Sequence, residues 1–137
     1  MATVNFEDNA KAIYLQIADR IANSIMRGDY DADSRLPSVR EYAASVEVNA
    51  NTVMRSYERL SSKGLIYNKR GIGFFVAPEA KLTIARERLE ELMEKQLPPL
   101  FDMMSALGVT PAQLSEAYSS YIENHKKQPS AADNDRS

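Results

Sequence analysis

The residues best suited to a chemical role are amides and a cation near the start of one predicted helix. In the stretch VNANTVMRSYERLSSKGLI, residues 48–66, Asn49, Asn51 and Arg55 precede a glycine that ends the helical pattern. Asparagine can hydrogen-bond adenine, and arginine can hydrogen-bond guanine, in a bidentate manner in the DNA major groove. The stretch therefore predicts base recognition, with the alternative that Asn49 is only a helix cap and Arg55 only a solvated cation.

The helical periodicity of this stretch separates a buried side from a polar side. With Val53 taken as the buried direction and about 100° per residue, Tyr57 and Leu60 lie within about 40° of it. The opposite, polar direction carries four side chains, namely Asn51, Arg55, Glu58 and Ser62. We therefore expect a helix that packs through one side and offers amide and cationic groups on the other.

Composition excludes most catalytic and metal chemistry. The 137 residues suffice for one domain plus a small appendage, and they contain no cysteine and a single histidine, His125. The carboxylates of EELMEK suit a solvated helix flank, and RGIGFF is not followed by a helix that could hold a phosphate. We expect no enzyme activity, no cofactor and no metal site.

Charge is unevenly distributed along a chain whose net charge is −2. Residues 35–77 carry seven basic and three acidic groups, whereas residues 78–137 carry seven basic and ten acidic groups. This pattern indicates a polyanion-binding module joined to a tail that faces another partner. Because no apolar run approaches the length of a membrane span, we expect no membrane association and a cytoplasmic, nucleoid-associated protein.

The elements that would position these residues follow in a recognisable order. A helical stripe runs from Ala12 to Arg27 and stops at Gly28, and a Ser38–Glu41 capping box opens a second helix that reaches about Val46. A third helix follows from an Asn49 cap to Gly64. Two β-prone runs, residues 65–67 and 74–76, then flank the turn NKRGIG. The sequence predicts a mainly α fold with a small β-hairpin wing, a winged helix-turn-helix over residues 11–77.

The remaining chain predicts a short helical segment over residues 78–125. Pro98 and Pro99 should end or kink its first helix, and Thr110 should cap its second. Residues 1–10 are expected to be an extension, and residues 126–137 a disordered end. The apolar positions suit packing against a second copy, with folding back onto the winged domain as the alternative; they are Leu89, Leu92, Leu97, Leu100, Met104, Leu114, Tyr118 and Tyr121.

Residues 28–76 resemble the DNA-binding domain of the GntR family of bacterial transcription regulators. The NTVMRSYERL and RGIGFFV forms, together with the short tail, are most similar to the YtrA-like subfamily. The ordered matches are Gly28, Leu36, Pro37, Ser38, Arg40, Glu41, Ala43, Val48, Thr52, Val53, Leu60, Gly64, Leu65, Gly71, Ile72, Gly73 and Val76.

The resemblance implies a homodimeric repressor that reads a short palindrome in double-stranded DNA, at its own promoter and a transporter operon. Ala50 and Met54 stand where other members often place arginines that contact the operator, so base recognition should depend more on the neighbouring positions. The predicted DNA contacts are Arg35, Ser38, Arg40, Asn49, Ala50, Asn51, Thr52, Arg55, Lys69, Arg70 and Gly71.

Two other functions remain open from the sequence. A winged helix can serve as a protein-interaction module, in which case the cations are ordinary surface groups. A non-specific DNA-packaging protein would bind scrambled and native DNA alike, although the acidic tail argues against it. No residue cluster marks a site for a small-molecule effector.

Overall fold

The structure is a computed structural model that describes residues 12–126. The predicted extension at 1–10 and residues 127–137 of the predicted disordered end lie outside the described residues. The chain divides into two compact units, the first ending at Glu87 and the second beginning at Arg88.

The first unit has the predicted mainly helical architecture with one antiparallel hairpin. Its chain order is three helices, two strands and the beginning of a fourth helix. The elements are α1 (Ile13–Arg27), α2 (Val39–Val46), α3 (Ala50–Ser62), β1 (Ile66–Lys69), β2 (Gly73–Val76) and α4 (Ala80–Glu91).

Local signals set the helix ends as predicted. Gly28 has φ 88° and ends α1 in the left-handed conformation. The Ser38 hydroxyl accepts the Glu41 amide at 3.1 Å, while the Ser38 amide donates to the Glu41 carboxylate at 2.9 Å. These two bonds confirm the capping box that opens α2.

The hairpin is longer than the sequence predicted. Asn68 pairs with Phe74 and Lys69 with Gly73, so only residues 70–72 form the loop, where the sequence predicted a six-residue turn. The segment before α2 also pairs with β2. Arg35 forms a bridge with Phe75, and the Leu36 amide donates to the Phe74 carbonyl at 2.9 Å.

The core of the first unit lies between α1, α3 and the hairpin. The predicted apolar seam of α3 is buried, as are five apolar residues of α1, namely Ile17, Ala18, Ile21, Ala22 and Ile25. Ala80 and Ile84 of α4 join the same core, and for this reason the unit extends ten residues beyond the predicted boundary at residue 77. The sequence predicted Leu89 of this helix as a packing position and gave no indication that Ala80 and Ile84 are buried.

The second unit consists of helices joined by tight connections. After α4, a π-helical turn spans Leu92–Gln96 and is followed by α5 (Leu97–Ala106) and α6 (Pro111–Lys126). Pro98 and Pro99 stand in the first turn of α5, directly after the π-helical turn, in which the Leu97 amide donates to the Leu92 carbonyl five residues earlier. The helical backbone therefore continues through the predicted break, with a change of helix geometry immediately before the prolines.

A second capping box opens α6 at the predicted Thr110 cap. The Thr110 amide donates to the Gln113 side-chain oxygen at 2.9 Å, and the Gln113 amide donates to the Thr110 hydroxyl at 3.2 Å. Lys126 is the last residue of α6, so the prediction that disorder begins at 126 is wrong for that residue.

Candidate nucleic-acid interface

The start of α3 combines a cap with an exposed amide side chain. The Asn49 side-chain oxygen accepts the Asn51 amide at 2.7 Å, which leaves it less able to form a bidentate bond with a base. The Asn51 side chain is exposed and has no hydrogen-bond partner among residues 12–126. Of the two predicted base-reading amides, Asn51 is therefore the one that is free.

Two apolar side chains share the exposed surface beside Asn51. Ala50 is the first residue of α3 and is exposed, and Met54, one helical turn later, has 41% of its surface exposed. Thr52 is half-buried. The first turns of α3 thus present a short amide next to apolar groups and carry no cation before Arg55.

Arg55 is oriented by an aromatic ring that the sequence analysis did not identify. Its guanidinium carbon lies 4.0 Å from the centre of the Tyr14 ring of α1. An open groove beside this pair is lined by Tyr14, Arg55, Glu58, Arg59 and Ser62. Although the helical wheel grouped Arg55 with Asn51, its head group lies toward α1.

The start of α2 supplies one free cation. Ser38 uses both its hydroxyl and its amide in the capping box, and these bonds lower the pKa of Glu41. Arg40, two positions later, is exposed and makes no hydrogen bond or ion pair within the described part of the chain. Ser38 therefore positions the helix end, while Arg40 is available to an external anion.

The wing carries two more cations on a structured tip. The Lys69 ammonium lies 4.6 Å from the centre of the Phe75 ring, and that ring stacks on Tyr67 with centroids 5.8 Å apart. Arg70 is exposed, and Gly71 follows with φ 80°, a conformation that favours glycine. The hairpin thus holds Lys69 at the last strand pair before the loop, against the Phe75 ring, while Arg70 is the first residue of the loop itself.

Arg35 lies beside β2 of the wing, with its backbone bridged to Phe75. Its guanidinium passes so close to Gly73 that a Cβ at residue 73 would lie 3.0 Å from the Arg35 Nε. Gly73 has φ 144°, so both its backbone conformation and this close approach require glycine. The sequence identified Arg35 as a phosphate contact but gave no indication that Gly73 makes room for it.

The predicted dimerisation residues are mostly exposed in the single chain. Leu97 and Met104 are half-buried, whereas the other six are exposed, and none of the described residues from 88 to 126 is buried. A groove of about 470 Å³ lies at the α5–α6 corner and is lined by Phe101, Met104, Ser105, Gly108, Val109, Thr110, Pro111 and Leu114.

Residues 12–126 contain no cluster of three or more acidic or histidine side chains that could hold a metal ion. No helix in this range is long and apolar enough to cross a membrane.

Comparison with known proteins gives consistent matches. The profile of the bacterial regulatory proteins of the gntR family matches residues 13–76. The uncharacterized HTH-type transcriptional regulator YhcF of Bacillus subtilis is 35% identical over 84% of this chain and 93% of that protein. The HTH-type transcriptional repressor YtrA of Bacillus subtilis is 32% identical over 76% of this chain and 79% of that protein.

One solved structure matches most of this chain, including part of the second unit. The crystal structure of a GntR family protein from Bacteroides thetaiotaomicron is 50% identical and superposes with a TM-score of 0.76. The match covers 82% of this chain and 99% of that one. The likeness therefore extends beyond the winged unit into the helical tail.

Proposed function

We propose that this chain, which belongs to the gntR family of bacterial regulatory proteins, controls transcription as a homodimer that binds a short palindromic operator. It is a winged helix-turn-helix protein of the YtrA-like kind. Its relatives are named as transcriptional regulators, YtrA among them as a repressor, which supports repression over activation and regulation over catalysis.

The observation that carries the proposal is the exposed start of α3 with unpaired cations on neighbouring elements. In helix-turn-helix proteins the first turns of the second helix enter the major groove, and basic residues around them contact phosphates. Asn51 supplies a free amide, and Arg40 and Arg70 supply charges without partners among the described residues. DNA is the ligand that uses all three groups together.

The exposed apolar residues of the second unit support dimerisation. Large apolar side chains are exposed along α5 and α6, the helices that the sequence predicted to pack against a second copy. A two-fold dimer would place two recognition helices about 34 Å apart, one helical turn of DNA, on a palindromic site. By its likeness to the YtrA-like subfamily, we propose that the protein acts in the cytoplasm. Its operators would lie at its own promoter and at a neighbouring transporter operon.

The test of DNA recognition is fluorescence anisotropy of the full chain with DNA from upstream of its own gene and with a scrambled duplex, each at two salt concentrations. We expect binding to the native fragment to be about a thousandfold tighter than to the control, and to weaken with salt. Equal weak binding to both would indicate a non-specific DNA-binding protein. Binding to neither would favour the protein-interaction module.

The test of dimerisation is sedimentation of the full chain and of two charged variants on the same helix. Leu114→Glu places a carboxylate on the predicted apolar side of α6 and should give a monomer, whereas Ser119→Glu adds the same charge on its polar side. A dimer that survives Leu114→Glu would contradict the assignment of α6 to the interface.

A further inference from the structure

Met54 is an exposed apolar side chain on a helix whose core contacts are already made. Val53, Tyr57 and Leu60 face the interior of the first unit and are at most 2% exposed, whereas Met54 is 41% exposed. About 100° separates Met54 from Val53 around the helix axis, so Met54 cannot join that seam without rotating the helix. Its position therefore reflects something other than packing of the first unit.

Ala50 extends this exposed apolar surface toward the start of the helix. Residues four apart lie one above the other on the same face, so Ala50 and Met54 are neighbours over the first two turns of α3. Asn51 is exposed beside them. The surface that the proposed function brings to the major groove is thus one amide and two apolar groups.

The nearest arginine on the same helix does not belong to this surface. Arg55 packs on the Tyr14 ring of α1, which holds its head group away from the Ala50–Met54 side. The exposed cations Arg40 and Arg70 come from α2 and the wing tip. Phosphate contacts and base contacts are therefore supplied by different elements, and the base contacts of the first turns lack a cation.

The base edges of the major groove offer a partner of matching chemistry. Thymine presents a C5-methyl group that apolar side chains contact, and adenine presents the N6 and N7 pair that an asparagine amide can bind. Guanine, in contrast, is read mainly by arginine or lysine. The flexible, polarisable thioether of methionine adapts well to such an apolar contact.

We infer that Ala50 and Met54 form an apolar surface that contacts thymine methyl groups, with Asn51 binding an adjacent adenine, so that each operator half-site presents A·T pairs to the first two turns of α3. The inference rests on the proposed function and specifies which bases its site reads.

The experiment begins with selection of binding sites from random duplex DNA by the full chain. We expect an enriched palindrome whose half-sites have A·T pairs where α3 lies. Each enriched thymine is then replaced by deoxyuridine, which removes only the methyl group. Affinity should fall about fourfold for each contacted methyl, the equivalent of about 0.8 kcal/mol for one buried methylene.

Variants of Met54 test whether this side chain makes the contact that is lost when the thymine methyl group is removed. For the Met54→Ala variant, the affinity for the thymine operator divided by that for the uracil operator should fall below about twofold at one position. The reason is that the thymine methyl no longer has its contact with methionine. Ile13→Ala removes a side chain of similar exposure, 37%, from α1 and should keep the wild-type ratio. Selection with Met54→Arg should replace an A·T pair by G·C at the same position, since arginine prefers guanine.

The outcomes separate this inference from the proposed function. Enrichment of G·C pairs opposite α3, no response to uracil in the wild-type chain, or an unchanged ratio in Met54→Ala would overturn the methyl-contact surface and leave sequence-specific regulation intact. No enrichment of any sequence would overturn sequence-specific binding, and the inference with it.

Discussion

The guanidinium of Arg55 stacks on the ring of Tyr14, with 4.0 Å between the guanidinium carbon and the ring centre. The contact joins the second turn of α3 to the first turn of α1, and the next residue strengthens the same junction. Ser56 is fully buried, and its hydroxyl donates to the Tyr14 carbonyl at 2.7 Å. Tyr14 therefore fixes both the backbone of α3 and the direction of its first cation.

This arrangement predicts that Tyr14 supports DNA binding through Arg55. Arg55→Ala should weaken operator binding by up to about 3 kcal/mol, through loss of a cationic contact with DNA outside the Ala50–Met54 surface. Tyr14→Leu removes the ring that orients Arg55 and should cause a smaller loss, whereas Tyr14→Phe keeps the ring and should bind normally. Anisotropy with the selected operator measures all three. Losses that simply add in the Tyr14→Leu, Arg55→Ala double variant would show that the two residues act independently.

Arg40 is predicted to contact the phosphate backbone and not a base. Arg40→Ala should weaken binding to operator and scrambled DNA by a similar factor, and should make the slope of log affinity against log salt shallower by about 1. Arg27→Ala is the matched control, because the Arg27 charge is already paired with Asp29 at 2.9 Å. A loss confined to the operator would instead identify Arg40 as a base contact.

The burial of Ile84 predicts where the winged unit can be cut. Ile84 is 3% exposed, while Leu82, two residues earlier on the same helix, is 58% exposed. Ile84→Ala should lower the free energy of unfolding by about 2–5 kcal/mol, and Leu82→Ala by less than about 0.5 kcal/mol. Urea unfolding of both variants measures the difference.

Truncated chains test whether the start of α4 belongs to the winged unit. A chain that ends at Glu87 keeps Ala80, Ile84 and the ion pair between Lys63 and Glu87 at 3.1 Å, and should unfold cooperatively as a monomer. A chain that ends at Ala77 loses these contacts and should be less stable. Equal stability of the two fragments would show that the start of α4 is not part of this unit.

Features set by neighbouring residues could be predicted from the sequence, and features set by distant ones could not. The Ser38–Glu41 capping box and the left-handed Gly28 depend on chemistry within a few residues, so the local pattern specifies them. The contact between Tyr14 and Arg55 and the burial of Ile84 depend on how helices pack. Helical periodicity locates a stripe but does not say which of two apolar sides the neighbouring elements cover.

The buried hydroxyl of Tyr57 predicts a loss of stability at high pH. The hydroxyl donates to the Pro37 carbonyl at 2.7 Å, and the ring meets that of Phe74 edge to face with centroids 5.1 Å apart. Burial raises the pKa of Tyr57 well above its ordinary value of 10.0, and the nearby acidic groups of Tyr30, Tyr42 and Glu41 raise it further. The folded chain therefore keeps this proton at a pH where the unfolded chain releases it.

The sign follows from the proton count. Above about pH 10 the unfolded state binds fewer protons at Tyr57 than the folded state, so the free energy of unfolding falls as pH rises from the unfolded pKa toward the folded one. Tyr57→Phe should cost about 1–3 kcal/mol at neutral pH, because the Pro37 carbonyl loses its donor, but should flatten the decline above about pH 10. Urea unfolding across this range measures both effects, with Tyr118→Phe on the exposed surface of α6 as the control. A decline as steep in Tyr57→Phe as in the wild-type chain would assign the alkaline sensitivity to the other tyrosines.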